Sequence, residues 1–275
     1  MLTFNRPQFI GRAIQSVAAQ TFQGWELLVV QDGDNEQIAE QMGQWMEREP
    51  RIRYFHRLEP GNIANACNFA LARALGDYIA ILDDDDYWAT PDKLVKQISF
   101  LDQHPEYVGC GGGVIVIDER GSPTMSYLKQ QQDDDIKRNA LYANPMAHST
   151  TMFRKASANA VHGYEESLEG FQDWDLWLKL GKVGKLYNFP EPFLYYTIWS
   201  GGGSFLQTKA NTRSAIRVVK RHWGQYPGSW LALGMAYLYH WYAHLPVGIK
   251  RSTFSMLSRM KKRIFSDRSA NRQRA

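Results

Sequence analysis

The stretch from Asp77 to Leu82 reads as an apolar strand, and it empties into four consecutive carboxylates, Asp83-Asp84-Asp85-Asp86. Nothing else in the chain limits the possible folds as tightly. Like charges a few ångströms apart raise one another's pKa unless a cation neutralises them. Such a run is tolerable at the carboxyl end of a strand in an open parallel sheet, where ligands of α/β folds sit. Hard oxygen ligands in small number suit Mg2+ or Mn2+ that shares its coordination with substrate phosphates. On an extended backbone Asp83 and Asp85 point one way and Asp84 the other, so one face holds metal while the other meets a ribose. A solvated acidic loop is the simpler account of an isolated run, and position is what argues against it.

The segments around this strand alternate between helical and strand periods. Asn5 reads as the cap of a helix that Pro7 opens, with Phe9, Ile10, Ala13, Ile14, Val17 and Ala18 as its apolar stripe. Glu26 to Val30 is a short strand leading into Asp32-Gly33-Asp34. A helix to about Arg48, a strand at Arg51 to His56 and a helix at Ile63 to about Leu75 follow. The expected class is α/β, a mixed and mostly parallel sheet flanked by helices. Beyond a helix starting near Pro91 the strands lengthen: Tyr107 to Asp118 turns at Glu119-Arg120-Gly121, and Ala147 to Phe153 reads as another strand. Gln172 to Leu180 is expected to be helical, Leu186 to Phe189 and Phe193 to Trp199 extended, and Gly201 to Gly203 a flexible joint before a helical part that starts at Leu206.

Three further positions carry chemistry. Asp32 ends a strand on the same sheet edge as the acidic run, where a carboxylate can accept from a nucleobase imide, although a turn aspartate before Gly33 is an equal local account. Asp173 stands among apolar neighbours at a helix start and can serve as a general base, while a carboxylate favoured by the helix dipole explains Asp173 or Asp175 as well. His148 suits a phosphate, acceptor or metal contact, or a strand histidine satisfied by its neighbours. Tyr164, Glu165 and Glu166 either line a groove or are solvated loop residues.

Composition excludes some classes. At 44% hydrophobic and 22% charged over 275 residues, the chain is neither disordered nor fibrous and can bury a sizeable core. Cys67 and Cys110 make no disulfide framework, and the first residues lack a basic region followed by an apolar run, so a cytoplasmic protein without a signal peptide is expected. From Lys250 onward nine Lys/Arg face Asp267 alone, a local +8 that leaves the first 249 residues at −4 of the +4 total.

Together, Thr3-Phe4-Asn5-Arg6-Pro7, Gln31-Asp32-Gly33, Leu82-Asp83-Asp84-Asp85-Asp86, Pro91-Asp92-Lys93-Leu94, His148-Ser149-Thr150 and Gln172-Asp173-Trp174-Asp175-Leu176-Trp177 closely resemble glycosyltransferase family 2 in order and spacing, over about residues 2 to 204. The resemblance implies a GT-A fold: a Rossmann-like catalytic domain at 1–204, with a nucleotide-sugar half at 1–100 and an acceptor half at 101–204. The remainder, 205–275, is a helical, aromatic and basic appendage. It further implies an inverting, metal-dependent hexosyltransferase that uses a nucleotide diphosphate sugar, with UDP expected from Asp32, in surface polysaccharide or glycan synthesis. By the same mapping Thr3, Phe4, Asn5, Arg6, Asp32, Asn68, Asp83 and Asp84 bind the nucleotide sugar. Asp85 is then the chief ligand of Mn2+ or Mg2+ with Asp83 second, Asp173 is the base, and His148, Gln172 and Trp174 meet phosphate or acceptor. Gly201 to Gly203 would let a loop close over the diphosphate.

The chain departs from the family pattern in places. The apolar strand that usually precedes the Thr3 position is nearly absent, so either a start placed too far downstream or a stub is expected. Gln172 stands where an acid is common, Cys67 where arginine is frequent beside Asn68, and Ala89-Thr90 lengthens the link to Pro91 by a residue. From His222 to Ile249 there is no Asp, Glu, Lys or Arg, while Trp223, Tyr226, Trp230, Tyr237, Tyr239, Trp241 and Tyr242 crowd the stretch. It is too interrupted for a spanning helix, and peripheral contact at the inner face of a membrane competes with helices packed on the catalytic body. Phe254 and Phe265 are too few aromatics among the basic residues for nucleic-acid binding. The alternatives to the enzyme are a catalytically silent nucleotide-sugar or glycan-binding protein and a nucleotidyltransferase, whose Gly-rich basic loop Asn5-Arg6-Pro7 does not resemble.

Overall fold

The structure, a computed structural model, describes residues 1–59, 61–199 and 209–244. The expected joint at Gly201 to Gly203 and the basic segment from Lys250 lie outside these residues. A three-stranded parallel sheet is built from β1 (Leu2–Thr3), β2 (Leu27–Asp32) and β3 (Ile52–Arg57), in that order. A second, mixed sheet contains β4 (Tyr78–Ala80), β5 (Tyr87–Trp88), β6 (Tyr107–Ile117), β7 (Pro123–Tyr127), β8 (Met152–Arg154) and β9 (Lys185–Thr197). Its order is β4-β8-β6-β9-β5, with β7 on β6; the β6–β9 ladder is parallel and the others are antiparallel.

The helices follow from local signals. Pro7 opens α1 (Pro7–Ala18), whose Ile10, Ala13, Ile14 and Val17 are buried at helical spacing. Asn5 is not its cap. Arg6 holds the cap position without a side-chain bond, and Asn5 instead adopts a left-handed φ of 52° that turns the chain from β1 into the helix. Asn35 caps α2 (Glu36–Arg48) through the Ile38 N–H at 3.1 Å, and Asn62 with Asn65 forms a capping box on α3 (Ile63–Arg73). Next come α4 (Lys93–Gln103), α5 (Asp133–Asn139), α6 (Lys155–Ala160) and α7 (Gln172–Val183).

Two strand expectations need correction. His148–Thr150 is a single 3-10 turn, and the strand is confined to Met152–Arg154. The Thr150 hydroxyl donates to the Ala147 carbonyl at 2.6 Å and the Thr151 hydroxyl to that of His148, local bonds that compete with a ladder. Conversely, Leu186 to Trp199 is not two strands: β9 runs unbroken through Pro190 and Pro192. The register against β6 shifts at Gly111 and Gly113, where side chains would not fit. A Cβ on Gly112 would lie 2.4 Å from the Phe193 ring and one on Gly113 3.2 Å from the Glu191 carbonyl.

β1 is as short as expected, and its pairing stops at β2. The amino group of Met1 donates to the Leu28 carbonyl at 2.9 Å. Consecutive residues of β2 (Leu27, Leu28) and β4 (Tyr78, Ile79, Ala80) line a cavity of about 690 Å3, so it follows strand edges between the two sheets rather than one face. Its other wall includes Asp83, Asp85, His148, Gln172 and Asp173.

The C-terminal α8 (Lys209–Arg221) and α9 (Ser229–Ala243) pack against α7. Val218, Val219, Tyr226 and Ala232 join Trp174 and Leu178 of α7 in one buried cluster, and the Tyr226 hydroxyl donates to the Leu178 carbonyl at 2.6 Å. Asp175 of α7, fully buried, accepts from His222 Nε2 at 2.9 Å and Arg221 Nε at 3.1 Å. Burial pulls this carboxyl upward, but His222, Lys179 and Arg221 outweigh it and hold its pKa below the ordinary range. No helix of the described residues is long and apolar enough to cross a membrane.

Candidate active site

After β4 the chain turns rather than staying extended, and the Asp86 N–H closes on the Asp83 carbonyl at 3.2 Å. The expected alternation of side chains therefore fails. Asp84 and Asp85 both reach one guanidinium, with Arg6 Nη2 2.6 Å from Asp84 Oδ1 and Nη1 2.6 Å from Asp85 Oδ2. Asp85 Oδ2 also accepts from Trp199 Nε1 at 3.0 Å, and Asp83 Oδ2 from the Ser149 hydroxyl at 2.9 Å. Asp84 is fully buried, and burial pushes its pKa up to about 7 against the pull of Arg6. Asp86, also buried, accepts from the Thr197 N–H at 3.0 Å and so ties β9 to the turn. Its pKa too is raised well above the ordinary value by burial.

Arg6 alone pairs with these carboxylates, Arg12 reaching only the Asp85 backbone carbonyl, so the turn holds more negative than positive charge, and neither oxygen of Asp84 accepts a well-directed hydrogen bond. That donor set fits a hard divalent cation. Among the described residues no three His, Cys, Asp or Glu side chains converge as a metal cage, so an ion here would draw much of its coordination from a bound ligand.

The carboxyl ends of β1 and β2 lie beside this turn. Thr3 is buried next to Asp84, where its hydroxyl opposes the rise in pKa that burial causes, while the Phe4 ring is exposed and Asn5 Oδ1 accepts from Asn35 Nδ2 at 3.3 Å. Asp32 is paired with Arg57 at 3.1 Å, so its carboxylate is compensated before any ligand arrives. The neighbouring Gln31 is fixed by Tyr54, which donates to Oε1 at 2.7 Å, and by its own bond to the Gly33 carbonyl at 3.0 Å.

Asp173 lies in the first turn of α7, behind Phe171 at φ 58°. Its Oδ2 accepts from Asn144 Nδ2 at 2.6 Å and its Oδ1 from the Trp174 N–H at 2.8 Å. Gln172 and Asp173 share the cavity wall with Asp83 and Asp85, so the structure brings the acid turn and this carboxylate to one space. His148 lines it as well, on its turn rather than on a strand, with Nε2 3.4 Å from the Tyr164 hydroxyl and a buried Nδ1 that has no partner.

Other expected contacts are engaged elsewhere. Trp174 is buried with its indole N–H donating to the Ala140 carbonyl at 2.7 Å, so it is core and does not face an acceptor. Asn68 spends its amide on the 164–166 loop, donating to the Tyr164 carbonyl at 2.9 Å and Glu166 Oε1 at 2.8 Å and accepting from the Tyr164 N–H at 2.8 Å. Glu165 pairs with Arg221 at 2.6 Å, so Glu165 and Glu166 act as braces rather than as an open groove wall. Burial pushes the Cys67 thiol up to about 12, which leaves it unreactive. Asn144, Ser149, Arg12 and Trp199 were not anticipated; Arg12 Nη2 donates to the Asp85 carbonyl at 3.2 Å and Thr197 Oγ1 at 2.8 Å.

Comparison with known proteins bears on the family and the fold. The family model described as glycosyl transferase family 2 matches residues 1–161. The amylovoran biosynthesis glycosyltransferase AmsE of Erwinia amylovora is 29% identical over 188 residues, 68% of this chain and 69% of that protein. A crystal structure of S. aureus TarS 1-349 in complex with UDP-GlcNAc superposes with a TM-score of 0.68 at 17% identity, covering 95% of this chain and 76% of that one. The mannosyltransferase PcManGT from Pyrobaculum calidifontis, in complex with GDP-Man and Mn2+, superposes with a TM-score of 0.65 at 15% identity, covering 87% of this chain and 68% of that one. The fold is thus the GT-A type.

Proposed function

The chain belongs to glycosyl transferase family 2, and on that premise we propose that it moves a hexosyl group from a UDP-sugar to a hydroxyl of a carbohydrate or glycolipid acceptor, inverting the anomeric configuration, in surface polysaccharide assembly. The observation that carries the reading is the shared cavity: the carboxylate of Asp173 and those of Asp83 and Asp85 line one space.

In this reading Thr3, Phe4, Asn5 and Arg6 receive the nucleoside and diphosphate, Asp32 meets the base, and Asp84 the ribose. Asp85, with Asp83, would hold Mn2+ or Mg2+, which when bound would supply charge to offset the departing diphosphate. Asp173, its Oδ2 aligned by Asn144, accepts the proton of the acceptor hydroxyl as that oxygen bonds to the anomeric carbon. The bond from that carbon to the diphosphate oxygen breaks, and UDP leaves with the electron pair. A single carboxylate suffices because the leaving group is a stabilised anion, unlike the sugar alcohol of a glycosidase. Two unpaired thiols, Cys67 and Cys110, fit a cytoplasmic setting. The units 1–100, 101–204 and 205–275 remain the organisation proposed for the donor half, the acceptor half and the appendage.

The test is UDP release from a panel of nucleotide sugars and acceptors with Mn2+. Asp173→Asn is expected to abolish turnover while UDP still binds; full activity in that variant refutes the assignment. Donor binding with no release from any pair would make the chain a binding protein instead.

A further inference from the structure

The helix α9 is built inside out. Its buried positions are the small Ser229, Ala232 and Ala236, while Trp230, Leu231, Tyr237, Leu238 and Trp241 are 81%, 54%, 47%, 56% and 62% exposed. At about 100° per residue these five positions fall on one side of the helix and form one face. A soluble helix places its large apolar groups inward, and a contiguous apolar face on a monomer marks an interaction surface. No Asp, Glu, Lys or Arg interrupts residues 222–249.

Charge indicates the partner. On α8, Arg213, Arg217 and Lys220 are exposed at spacings of four and three, one basic row on the helix that pairs with α9. Lys220 Nζ lies 5.5 Å from the Tyr237 ring, so the basic row borders the aromatic face. The chain that follows α9 adds nine Lys/Arg against one Asp between residues 250 and 275. Tryptophan and tyrosine favour the headgroup zone of a bilayer, and clustered cations beside them favour anionic lipid.

We infer that the outer face of α9 docks on an anionic membrane surface, with Trp230, Leu238 and Trp241 entering the headgroup zone and Arg213, Arg217 and Lys220 of α8 holding the lipid phosphates. The docking does not depend on the transferase reading, since no residue of the acid turn or of α7 takes part.

The test is co-sedimentation of the full chain with vesicles of phosphatidylcholine, alone or mixed with about one third phosphatidylglycerol. Binding is expected only to the anionic vesicles, to weaken with salt, and to fall at least about tenfold in Trp230→Gln/Leu238→Gln/Trp241→Gln. UDP binding by the same variant reports that the catalytic body is intact. Equal binding by wild type and variant would assign the attachment to the basic residues alone and overturn the role of this face. So would a chain that ignores vesicles but forms a dimer in sedimentation velocity that the triple variant dissolves, which would give the face to a second copy. Absence of both vesicle binding and self-association refutes the proposal outright.

Discussion

Replacing Arg6 by alanine probes the acid turn without altering any carboxylate in it. The guanidinium lies 2.6 Å from oxygens of both Asp84 and Asp85, and the three side chains are 26%, 0% and 16% exposed. With charge centres roughly 4 Å apart and an effective dielectric near 20, each pair is worth about 4 kcal/mol before desolvation. Desolvation and side-chain entropy remove most of that, so the two pairs together net on the order of 2 kcal/mol. An ion entering the turn has to displace this arginine and forfeit those contacts. Arg6→Ala removes the competitor, and Mn2+ alone should then bind about 10- to 30-fold tighter. The same change takes a cation away from the diphosphate, so UDP should bind more weakly. Titration of free Mn2+ by electron paramagnetic resonance, with and without UDP, reads both effects. Mn2+ affinity that falls or stays level in Arg6→Ala would mean that the guanidinium does not stand where an ion goes.

Three further outcomes follow from the same contacts. Asn144→Ala removes a charged hydrogen bond worth about 1.5–3 kcal/mol, so kcat should fall roughly ten- to hundredfold with the donor KM little changed; a KM effect alone would make Asn144 a binding residue. Burial lowers the pKa of Lys93, which has no carboxylate partner among the described residues, from 10.5 to about 7, so between those values the unfolded chain holds a proton that the folded chain releases. Stability should therefore rise with pH across that window, and Lys93→Met should flatten the rise in denaturant titrations, whereas an unchanged slope excludes Lys93 as its source. Asp175→Ala strands the buried His222 against Arg221 and should cost about 3 kcal/mol, roughly 6–12 °C in Tm. Because the pKa of Asp175 is held low, the stability it contributes is present at neutral pH and is lost as pH falls through its folded value, so the deficit of the variant should shrink in acid.

How much of this was legible depends on how far each signal reaches along the chain. That Asp32 ends a strand and that the acid run follows one could be read, because an apolar strand ending in carboxylates is marked within ten residues; the common sheet edge expected for them was not met, since β2 and β4 belong to different sheets. Asn144 could not, since it sits 29 residues from Asp173 and is marked only as a turn residue before Pro145. The side-chain alternation across Asp83 to Asp85 failed because it presumed extended backbone where the chain bends. Trp174 looked like a site residue because its neighbours in sequence do; helical geometry turns it, with Asp175, away from Asp173 into the contact with α8. Pro190 and Pro192 signalled a break in β9, and the compensating feature, the glycines of β6, lies nearly eighty residues earlier.

The most direct measurement is anomalous scattering at the manganese edge from crystals grown with UDP and Mn2+. A peak touching Asp85 and Asp83 on one side and the diphosphate on the other, with Arg6 swung off Asp84, is the predicted result. A bound nucleotide with no peak at the turn, and Arg6 still clasping Asp84 and Asp85, would contradict it.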